Sequence, residues 1–411
     1  MKKGYLSEYF VGVAAKRLSA VEADETRSNQ HEYNATRTML EFIGRPAVAT
    51  RLPTRFLYLS DEDPDPIVED AFLTLYDSRK GQQHRSAEFR FYFPTTTVSL
   101  NAAEGDLLVV AKKRDGGLLV VIAENGSSIS RQIEWLFGFS DLAHPGFSVK
   151  CELETEQDRI AFASRFILEN IGIEVEASAE THLEAMLDRF KGRFPTTREF
   201  SDYARSTLKD INAKDDRDCV LMVWMEREEI LFRTLERYLI SDRLSKGFSG
   251  DIATGMDVEG FISFSLSVHN RRKSRVGLAL ENHLEQLFSE CGIQYTRGAV
   301  TENRTKPDFI FPSITAYRNA AFDPLKLTML GVKSTCKDRW RQVLPEAQRI
   351  PEKHLLTLEA AISTNQTNEM AAHRLRLVLP RGLHDTYTIT QQEWLMDITD
   401  FTNLVLERQV I

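Results

Sequence analysis

A carboxylate and a lysine occupy the ends of two apolar, strand-like segments in the C-terminal half of the sequence. Asp308 follows Pro307 and opens the run Phe309-Ile310-Phe311, and Lys333 closes the later run Leu327–Lys333. Hydrolysis of a phosphodiester needs charge stabilisation on a non-bridging oxygen, an activated water and a stabilised leaving oxygen. Mg²⁺ bound by one or two carboxylates meets these needs, and a nearby lysine orients the water and favours hydroxide. The pair therefore predicts a metal-dependent phosphodiesterase site.

The second metal ligand is missing from its usual place. The nuclease pattern PD-(D/E)xK has an acidic residue two positions before the lysine, where this chain has Gly331. A single aspartate provides too few protein ligands for a metal ion, so another carboxylate must come from elsewhere in the chain. Glu346, expected on a helix that follows Lys333, is the natural candidate. Glu281, which shares a predicted helix face with Glu285, could complete the set.

A basic run precedes the helix that carries Glu281, which is predicted over Val276–Cys291. The run reads Asn270-Arg271-Arg272-Lys273-Ser274-Arg275. It is either a charged helix start in water or a clamp on DNA phosphates. Its position beside a nuclease-like core, in an otherwise acidic chain, favours the clamp. A short strand is predicted after this helix, over Ile293–Arg297.

The first half of the chain is predicted to be a β domain, because strand-length apolar runs alternate with polar turns. The turn Asp115-Gly116-Gly117 indicates a hairpin, and Ser127–Phe137 is typical of a capped helix. The predicted strands are Phe56–Leu59, Ala71–Tyr76, Glu88–Phe93, Leu107–Ala111 and Leu118–Ala123. Five strands at this spacing favour a barrel or a sandwich.

The middle of the chain turns helical, with apolar residues at helical spacing. The predicted helices are Thr155–Ile171, Glu180–Phe190, Thr197–Leu208 and Asp218–Lys246. A domain boundary is expected near 174–178, which gives domains 1–175 and 176–411. The fold class is α+β, with a small β domain followed by a core in which helices surround a mixed sheet.

Composition sets broad limits on the protein. The chain has 411 residues, 42% of them hydrophobic, and a formal net charge of −8. This charge argues against nucleic-acid binding through overall positive charge but allows local basic stripes. Its four cysteines are far apart, so neither a zinc site nor a disulfide framework is indicated. We expect reduced thiols in the cytoplasm, no export signal and no membrane-spanning segment.

Two polar segments of the first half mix basic, amide and imidazole side chains. The first covers 16–22 and 27–33, and the second covers 78–90. Such residues supply phosphate contacts and hydrogen bonds to base edges. The plain alternative is that both segments are solvated loops.

The first segment resembles a DNA-contacting arm in the N-terminal effector domain of EcoRII-type restriction endonucleases. The resemblance implies a DNA-binding pseudobarrel over 1–175, which grips the major groove between two arms. On this reading the first arm contains Arg17, Ser19, Asn29 and His31, and the second contains Lys80, Arg85, Glu88 and Arg90.

The second half resembles the same family more closely. The resemblance is carried by the strings Ser267–Arg275, Lys306–Ser313 and Val332–Gln342. It implies a restriction-endonuclease-like fold and assigns catalytic roles to Asp308, Lys333, Glu346 and Glu281. Asp308 and Glu346 would hold Mg²⁺. The basic residues Arg271, Arg272, Lys273 and Arg275 would contact DNA.

A candidate sequence-reading element follows Lys333. Lys337 and Arg339 can donate to guanine O6 and N7, and Asp338 can accept from cytosine N4. The plain alternative is a solvated helix start. The resemblance implies recognition of CC and GG flanking a central pair, as in CCWGG, with the central bases flipped out of the stack.

The preferred hypothesis is a Mg²⁺-dependent type II restriction endonuclease of a restriction–modification system. It implies double-stranded DNA in two target copies, a cognate DNA methyltransferase and a possible homodimer. Two alternatives remain: a DNA-binding regulator with a vestigial nuclease core, and a nuclease that senses methylated cytosine through its first domain.

Overall fold

The computed structural model describes residues 4–410, except 24–30, 64, 81–83, 140–141, 143–145, 161, 176–181, 209–210 and 249–256, and except the side chains of residues 162, 337, 338 and 410. The chain divides into two units. The first comprises Met1–Val175 with Ala360–Gln366, and the second comprises Glu176–Glu359 with Thr367–Ile411.

The first unit is built on one eight-stranded sheet in the order β2-β5-β4-β3-β7-β6-β1-β8. All neighbours pair antiparallel except β3 and β7, which are parallel. The strands are β1 Phe10–Arg17, β2 Glu32–Asn34, β3 Thr50–Leu59, β4 Ile67–Asp77, β5 Phe89–Tyr92, β6 Leu107–Lys113, β7 Leu118–Ala123 and β8 Ser148–Lys150. The helices are α1 Ala20–Ala23, α2 Arg37–Ile43, α3 Thr97–Asn101, α4 Ser128–Phe137 and α5 Phe162–Asn170.

The centre of this sheet is covered on both faces. Leu107 and Val109 of β6 belong to one buried apolar cluster, and Leu108 and Val110 belong to another on the opposite face. This explains why the strand is a continuous apolar run rather than an alternating one.

Several local predictions for the first unit are confirmed. The hairpin joins β6 to β7, where the amide of Lys113 donates to the carbonyl of Gly117 at 2.9 Å, and Gly116 takes the positive φ of 98° that the turn requires. The Ser127 side chain caps α4 by accepting from the amide of Ser130.

The sequence prediction missed the long strand β1. Its last two residues, Lys16 and Arg17, were assigned to a polar arm. They end a strand that pairs with both β6 and β8, and Lys16 is buried.

The second unit combines a helical layer with a mixed five-stranded sheet in the order β13-β12-β11-β10-β9. β9, β10 and β11 pair antiparallel, and β11, β12 and β13 pair parallel. The strands are β9 Thr296–Arg297, β10 Phe309–Phe311, β11 Thr328–Lys333, β12 Lys353–Thr357 and β13 Leu375–Val378. The helices are α6 Leu183–Phe190, α7 Thr197–Ser206, α8 Arg217–Lys246, α9 Val258–Glu290, α10 Ile314–Arg318, α11 Thr364–Ala372, α12 Ile389–Gln392 and α13 Ile398–Val410.

Helix α9 corrects the prediction of a helix beginning at Val276. It begins after Asp257, whose carboxylate accepts from the amide of Gly260 at 2.8 Å, and runs for 33 residues. The basic run 270–275 therefore lies inside the helix. No glycine or proline occurs within residues 270–275, and a basic run is compatible with a helix interior because arginine and lysine are good helix formers.

Phe288 connects α9 to the sheet. Its ring packs edge-on against Phe309 and Phe311 of β10, at centroid distances of 5.2 and 5.3 Å. This contact fixes the strand that begins one residue after Asp308. Across the described part of the chain, every helix is too short or too polar to cross a membrane.

Candidate active site

Asp308 and Lys333 meet at the end of the antiparallel pair β10–β11. Oδ2 of Asp308 accepts from the backbone amide of Val332 at 2.6 Å and from Nζ of Lys333 at 3.1 Å. The same Nζ donates to the carbonyl of Val332 at 3.1 Å. Strand pairing thus joins two residues that are far apart in the sequence, and their geometry is that of an ion pair on a rigid support.

Gly331 has no room for the acidic side chain found there in other nucleases. A Cβ on Gly331 would lie 2.9 Å from Cγ2 and 3.1 Å from Cγ1 of Val343. Val343 is the last residue of a 3₁₀-helix, Lys337–Val343, which follows β11. The helix folds back onto the strand and fills the space that an acidic residue would need.

This same fold-back delivers Glu346. The residue lies in a bend three positions after the helix ends, which corrects the expectation that it lies on the helix, and its amide donates to the carbonyl of Val343 at 3.1 Å. Its Oε2 is buried and has no hydrogen-bond partner within the described residues. Burial and then the charge of Asp308 raise the pKa of Glu346 to about 7, against the opposing charges of Lys333 and Lys353. The turn that Val343 anchors thus places a second carboxyl group close enough to Asp308 and Lys333 to interact with their charges.

Glu281 lies close enough to feel the same charges. Burial first and Asp308 second raise the pKa of its carboxyl group, while Arg297 and Lys333 act in the opposite direction. Arg297 of β9 donates to Oε2 of Glu281 at 2.9 Å and to Oε2 of Glu285 at 2.6 Å. The guanidinium thus holds both glutamates on the same face of α9, and Glu281 faces the site with part of its charge neutralised.

Sequence reasoning missed Lys353. The side chain is 8% exposed, and its Nζ donates to the carbonyls of Ala347 and Ile350 at 3.3 and 3.1 Å. These carbonyls belong to the turn that follows Glu346, in which Ala347 has a positive φ of 44°. The available signal was a lysine at the start of a strand whose centre is Leu355-Leu356. We assign Lys353 as a positioning residue for Glu346.

The donor set suits a hard divalent cation. Such ions take oxygen ligands, and Mg²⁺ commonly uses one or two carboxylates with water and substrate phosphate completing the shell. Asp308 and Glu346 supply two carboxylates, one with an unpartnered buried oxygen. Within the described residues, no group of three or more histidine, cysteine, aspartate or glutamate side chains is arranged to hold a metal by itself. The fit is therefore to a cation that shares its ligands with a substrate.

The candidate reading element lies directly beside this site. Residues 337–339 open the 3₁₀-helix, so the expectation of a helix after Lys333 is met by a tighter one. The side chains of Lys337 and Asp338 lie outside the described residues. Arg339 is exposed, and its amide donates to the carbonyl of Cys336 at 2.8 Å.

Several side chains of the basic run of α9 make contacts within the protein. Arg275 is 7% exposed, pairs with Glu228 and stacks 3.8 Å from the ring centroid of Phe232. Arg272 donates to Glu236 at 2.7 Å. Arg275 is therefore a core residue rather than a phosphate contact.

The rest of the run is more accessible. Arg271 lies 4.0 Å from the ring centroid of Phe194, and Lys273 is exposed. Of the predicted four-residue clamp, Arg275 is therefore the buried member, and DNA contact by the other three stays a prediction.

The first arm of the first unit is mostly tied to its own neighbours. Arg17 pairs with Glu134 and donates to Oγ of Ser130 at 3.1 Å. Ser19 donates to Glu22 at 2.9 Å. His31 packs near the Phe93 ring, at 5.5 Å between centroids. The fourth predicted member, Asn29, lies outside the described residues.

The second arm contains an ion-pair network. Arg90 pairs with Glu32 at 2.8 Å and with Glu88 at 3.1 Å, and Lys80 donates to the carbonyl of Ala47 at 3.1 Å. Arg85 is exposed. The contacts made by these side chains hold β2, β5 and the adjacent turns together, and their role toward DNA stays a prediction.

An antiparallel strand pair presents the aspartate and the lysine, and a later turn brings the glutamate towards them. Together with the helices around a mixed sheet, this arrangement defines a restriction-endonuclease-like nuclease core. Residues 232–402 match the family model described as EcoRII C terminal. This match confirms the resemblance of the second half to EcoRII-type endonucleases.

The chain is also 38% identical over 231 residues to the type II restriction enzyme EcoRII of Escherichia coli. The aligned region covers 56% of this chain and 55% of the relative, so the chain spans about half the length of the curated relative it matches.

Two solved DNA complexes are similar over part of the chain. Metal-depleted Ecl18kI with uncleaved, modified DNA matches with a TM-score of 0.45 and 17% identity, over 57% of this chain and 85% of that one. A complex of the restriction endonuclease PspGI with substrate DNA matches with a TM-score of 0.42 and 18% identity, over 52% and 93%.

Proposed function

We propose that the protein is a type II site-specific deoxyribonuclease that cleaves double-stranded DNA with Mg²⁺ at a short target resembling CCWGG. The observation that carries the proposal is the buried, unpartnered Oε2 of Glu346 beside the Asp308–Lys333 pair. A buried carboxylate oxygen without a donor is costly. It is therefore expected where a cation and substrate complete the site.

Asp308 and Glu346 would hold the cation, which when bound supplies charge stabilisation on the scissile phosphate and its leaving oxygen. Lys333 is held by Asp308 and the carbonyl of Val332, so its ammonium has a fixed position from which to orient the attacking water. Lys353 fixes the turn that carries Glu346. Glu281 supports the site from α9, where Arg297 limits its freedom.

Recognition would come from Lys337, Asp338 and Arg339. Chemistry allows this triplet to read adjacent C·G pairs in the major groove, and flipping of the central bases would follow the family pattern. Its placement between Lys333 and Glu346 in the chain means that base contacts and the catalytic turn share one short segment. Correct contacts at 337–339 would therefore help to position Glu346.

The first unit, in this proposal, binds a further copy of the target as an effector site. Lys80 and Arg85 are the exposed cations of the second arm in the described residues. The other members of the two predicted arms are Arg17, Ser19, Asn29, His31, Glu88 and Arg90. We also propose a cytoplasmic location, a cognate DNA methyltransferase and a homodimer, since a palindromic target favours two-fold symmetry.

The direct test is incubation of the purified full chain with plasmid DNA and Mg²⁺, followed by run-off sequencing of the products. We expect discrete cuts at a CC/GG-flanked target and none with EDTA. Removal of residues 1–175 should change the dependence on additional target copies. Tight, specific binding without cleavage would instead indicate a DNA-binding regulator with a vestigial nuclease core. A requirement for modified cytosine would indicate a methylation-sensing nuclease.

A further inference from the structure

The candidate reading element at 337–339 begins without a cap of its own. It opens the 3₁₀-helix Lys337–Val343, and the side chain of Cys336, at the N-cap position, accepts no hydrogen bond from the described helix amides. Cys336 also has helical backbone angles, with φ of −86° and ψ of −59°, instead of the extended angles of an ordinary N-cap. Since the first amides of a helix have no partner inside it, another part of the chain has to fix where this helix starts.

That part is the segment that follows the neighbouring parallel strand, β12. Lys333 of β11 lies opposite Thr357 of β12, and because the two strands run in the same direction, the chain leaves both of them at the same edge of the sheet. There the carboxylate of Glu359 accepts from the backbone amide of Cys336. This hydrogen bond ties the start of the reading element to the strand beside the candidate active site.

The backbone of Glu359 is itself held on both sides. Its amide donates to Oγ1 of Thr357 at 3.2 Å, and its carbonyl accepts from the hydroxyl of Tyr387 at 2.6 Å. Thr357 and Tyr387 are both buried. The Glu359 side chain therefore starts from a fixed position, and its carboxylate acts as a rigid support for Cys336.

The peptide groups of Cys336 carry this support into the reading element. Cys336 is fully buried, and its carbonyl accepts from the amide of Arg339 at 2.8 Å. The residue that Glu359 holds through its amide thus holds Arg339 through its carbonyl. A change in the orientation of Cys336 would therefore move Arg339 relative to the strand that ends at Lys333.

We infer that Glu359 is a positioning residue for the candidate reading element, and that discrimination between the target and near-target sequences depends on its hydrogen bond to Cys336. The inference rests on the proposed function, in which 337–339 read the flanking C·G pairs. Hydrogen bonds to base edges require side chains placed to within about 0.5 Å. Loss of the Glu359 support therefore reduces specificity, although Glu359 itself touches neither a base nor the scissile phosphate in this proposal.

Thiol labelling of Cys336 measures the anchoring without DNA. In a background with the other three cysteines changed to serine, the buried thiol should react slowly with N-ethylmaleimide under native conditions, because labelling requires local opening. Glu359→Ala should raise the rate by about tenfold. Glu359→Gln keeps an acceptor oxygen and should stay within about threefold of the parent rate. The matched control is Glu352→Ala, at an exposed acid of the same unit, which should label like the parent.

Cleavage specificity tests whether the anchoring reaches the reading element. The measured quantity is the ratio of kcat/KM for the target to kcat/KM for a duplex with one flanking C·G pair exchanged. Glu359→Ala should lower this ratio by about tenfold, and Glu359→Gln should restore it. Glu359→Asp keeps the charge but withdraws the carboxylate by one methylene, so it should lower the ratio too, and it replaces Glu359→Ala if that variant does not fold.

The two measurements separate this inference from the proposed function. A purely structural role of Glu359 would slow cleavage of both duplexes equally, and an unchanged ratio in a wild type that cuts its target would overturn the inference while the proposed function stands. Equal labelling of Cys336 in Glu359→Ala and Glu352→Ala would overturn it as well. A wild type that cuts no DNA would overturn the proposed function, and the labelling rates would then decide alone whether Glu359 anchors Cys336.

Discussion

Buried charge is handled in opposite ways at the end of β11 and in the middle of α9. Around Lys333, Asp308 raises the pKa values of both Glu346 and Glu281, and Oε2 of Glu346 has no donor within the described residues. In α9, the charge of Arg275 is balanced by Glu228 in the same core.

His283 completes the second region. It lies 2.8 Å from Oε2 of Glu228 and 2.8 Å from the guanidinium of Arg205, so this network joins α7, α8 and α9 through charged groups of both signs. The comparison of the two regions shows that a buried charged residue does not by itself identify a functional site. A better marker is a cluster of buried carboxyl groups whose pKa values are raised by burial and by a neighbouring carboxylate, as for Glu281 and Glu346, because a bound cation would stabilise their charged forms.

The largest effect is expected from breaking the balanced region. Arg275→Met would leave Glu228 buried without its arginine, and the loss of one partner of a buried ion pair costs about 3–5 kcal/mol of stability. Urea unfolding measures this, with the exposed Lys214→Met as a control expected to change stability by less than about 0.5 kcal/mol. Unchanged stability with a shallower salt dependence of DNA binding would instead restore Arg275 as a phosphate contact.

A smaller effect is expected from forcing an acid into its usual place. Gly331→Asp would drive Cβ into Val343, and overpacking of this kind costs about 1–3 kcal/mol. Displacement of Val343 should also move Glu346, so cleavage should fall rather than rise. The double variant Gly331→Asp/Val343→Ala should recover part of the lost stability. A single variant as stable as wild type and more active would contradict the account of Gly331.

A third effect is small near neutral pH and grows only on acidification, and it concerns a buried group that takes no part in the site. Burial, with the charges of Arg408 and Arg376, lowers the pKa of His354 to about 3. Below about pH 6.5 the unfolded chain binds a proton there that the folded chain excludes, so stability falls with pH down to the folded pKa.

The expected slope from this histidine is about 1.4 kcal/mol per pH unit. His354→Gln should remove it, as measured by urea unfolding between about pH 6 and about pH 4, which both lie inside this window. Identical slopes in the variant and the wild type would show that the pKa of His354 is not lowered in the folded protein.

Local sequence signals predicted the elements that carry the site. The apolar runs of β10 and β11, the Asp115-Gly116-Gly117 hairpin and the serine cap of α4 were all readable, because each depends on neighbours in the chain. The choice of Asp308 and Lys333 followed from the chemistry of phosphodiester hydrolysis.

Tertiary packing decided the rest. Gly331 is needed because the side chain of Val343 occupies the adjacent space. The role of Lys353 depends on two carbonyls in a turn. Arg275 cannot be distinguished from a surface cation in the sequence, because its burial depends on the packing of α8 against α9. The start of α9 was missed because the polar residues at 270–275 resembled a helix boundary. β1 was missed because Lys16 and Arg17 end a strand that is otherwise apolar.

The most direct test of the central claim is single-turnover cleavage of a target duplex by Glu346→Gln, with Glu352→Gln, an exposed acid of the same unit, as the control. The substitution removes the carboxylate charge and keeps the size of the side chain. We expect cleavage by Glu346→Gln to fall by about 10³-fold with unchanged affinity for the duplex, while Glu352→Gln cleaves like the wild type. Cleavage at the wild-type rate by Glu346→Gln would show that the buried carboxylate is not part of the catalytic site.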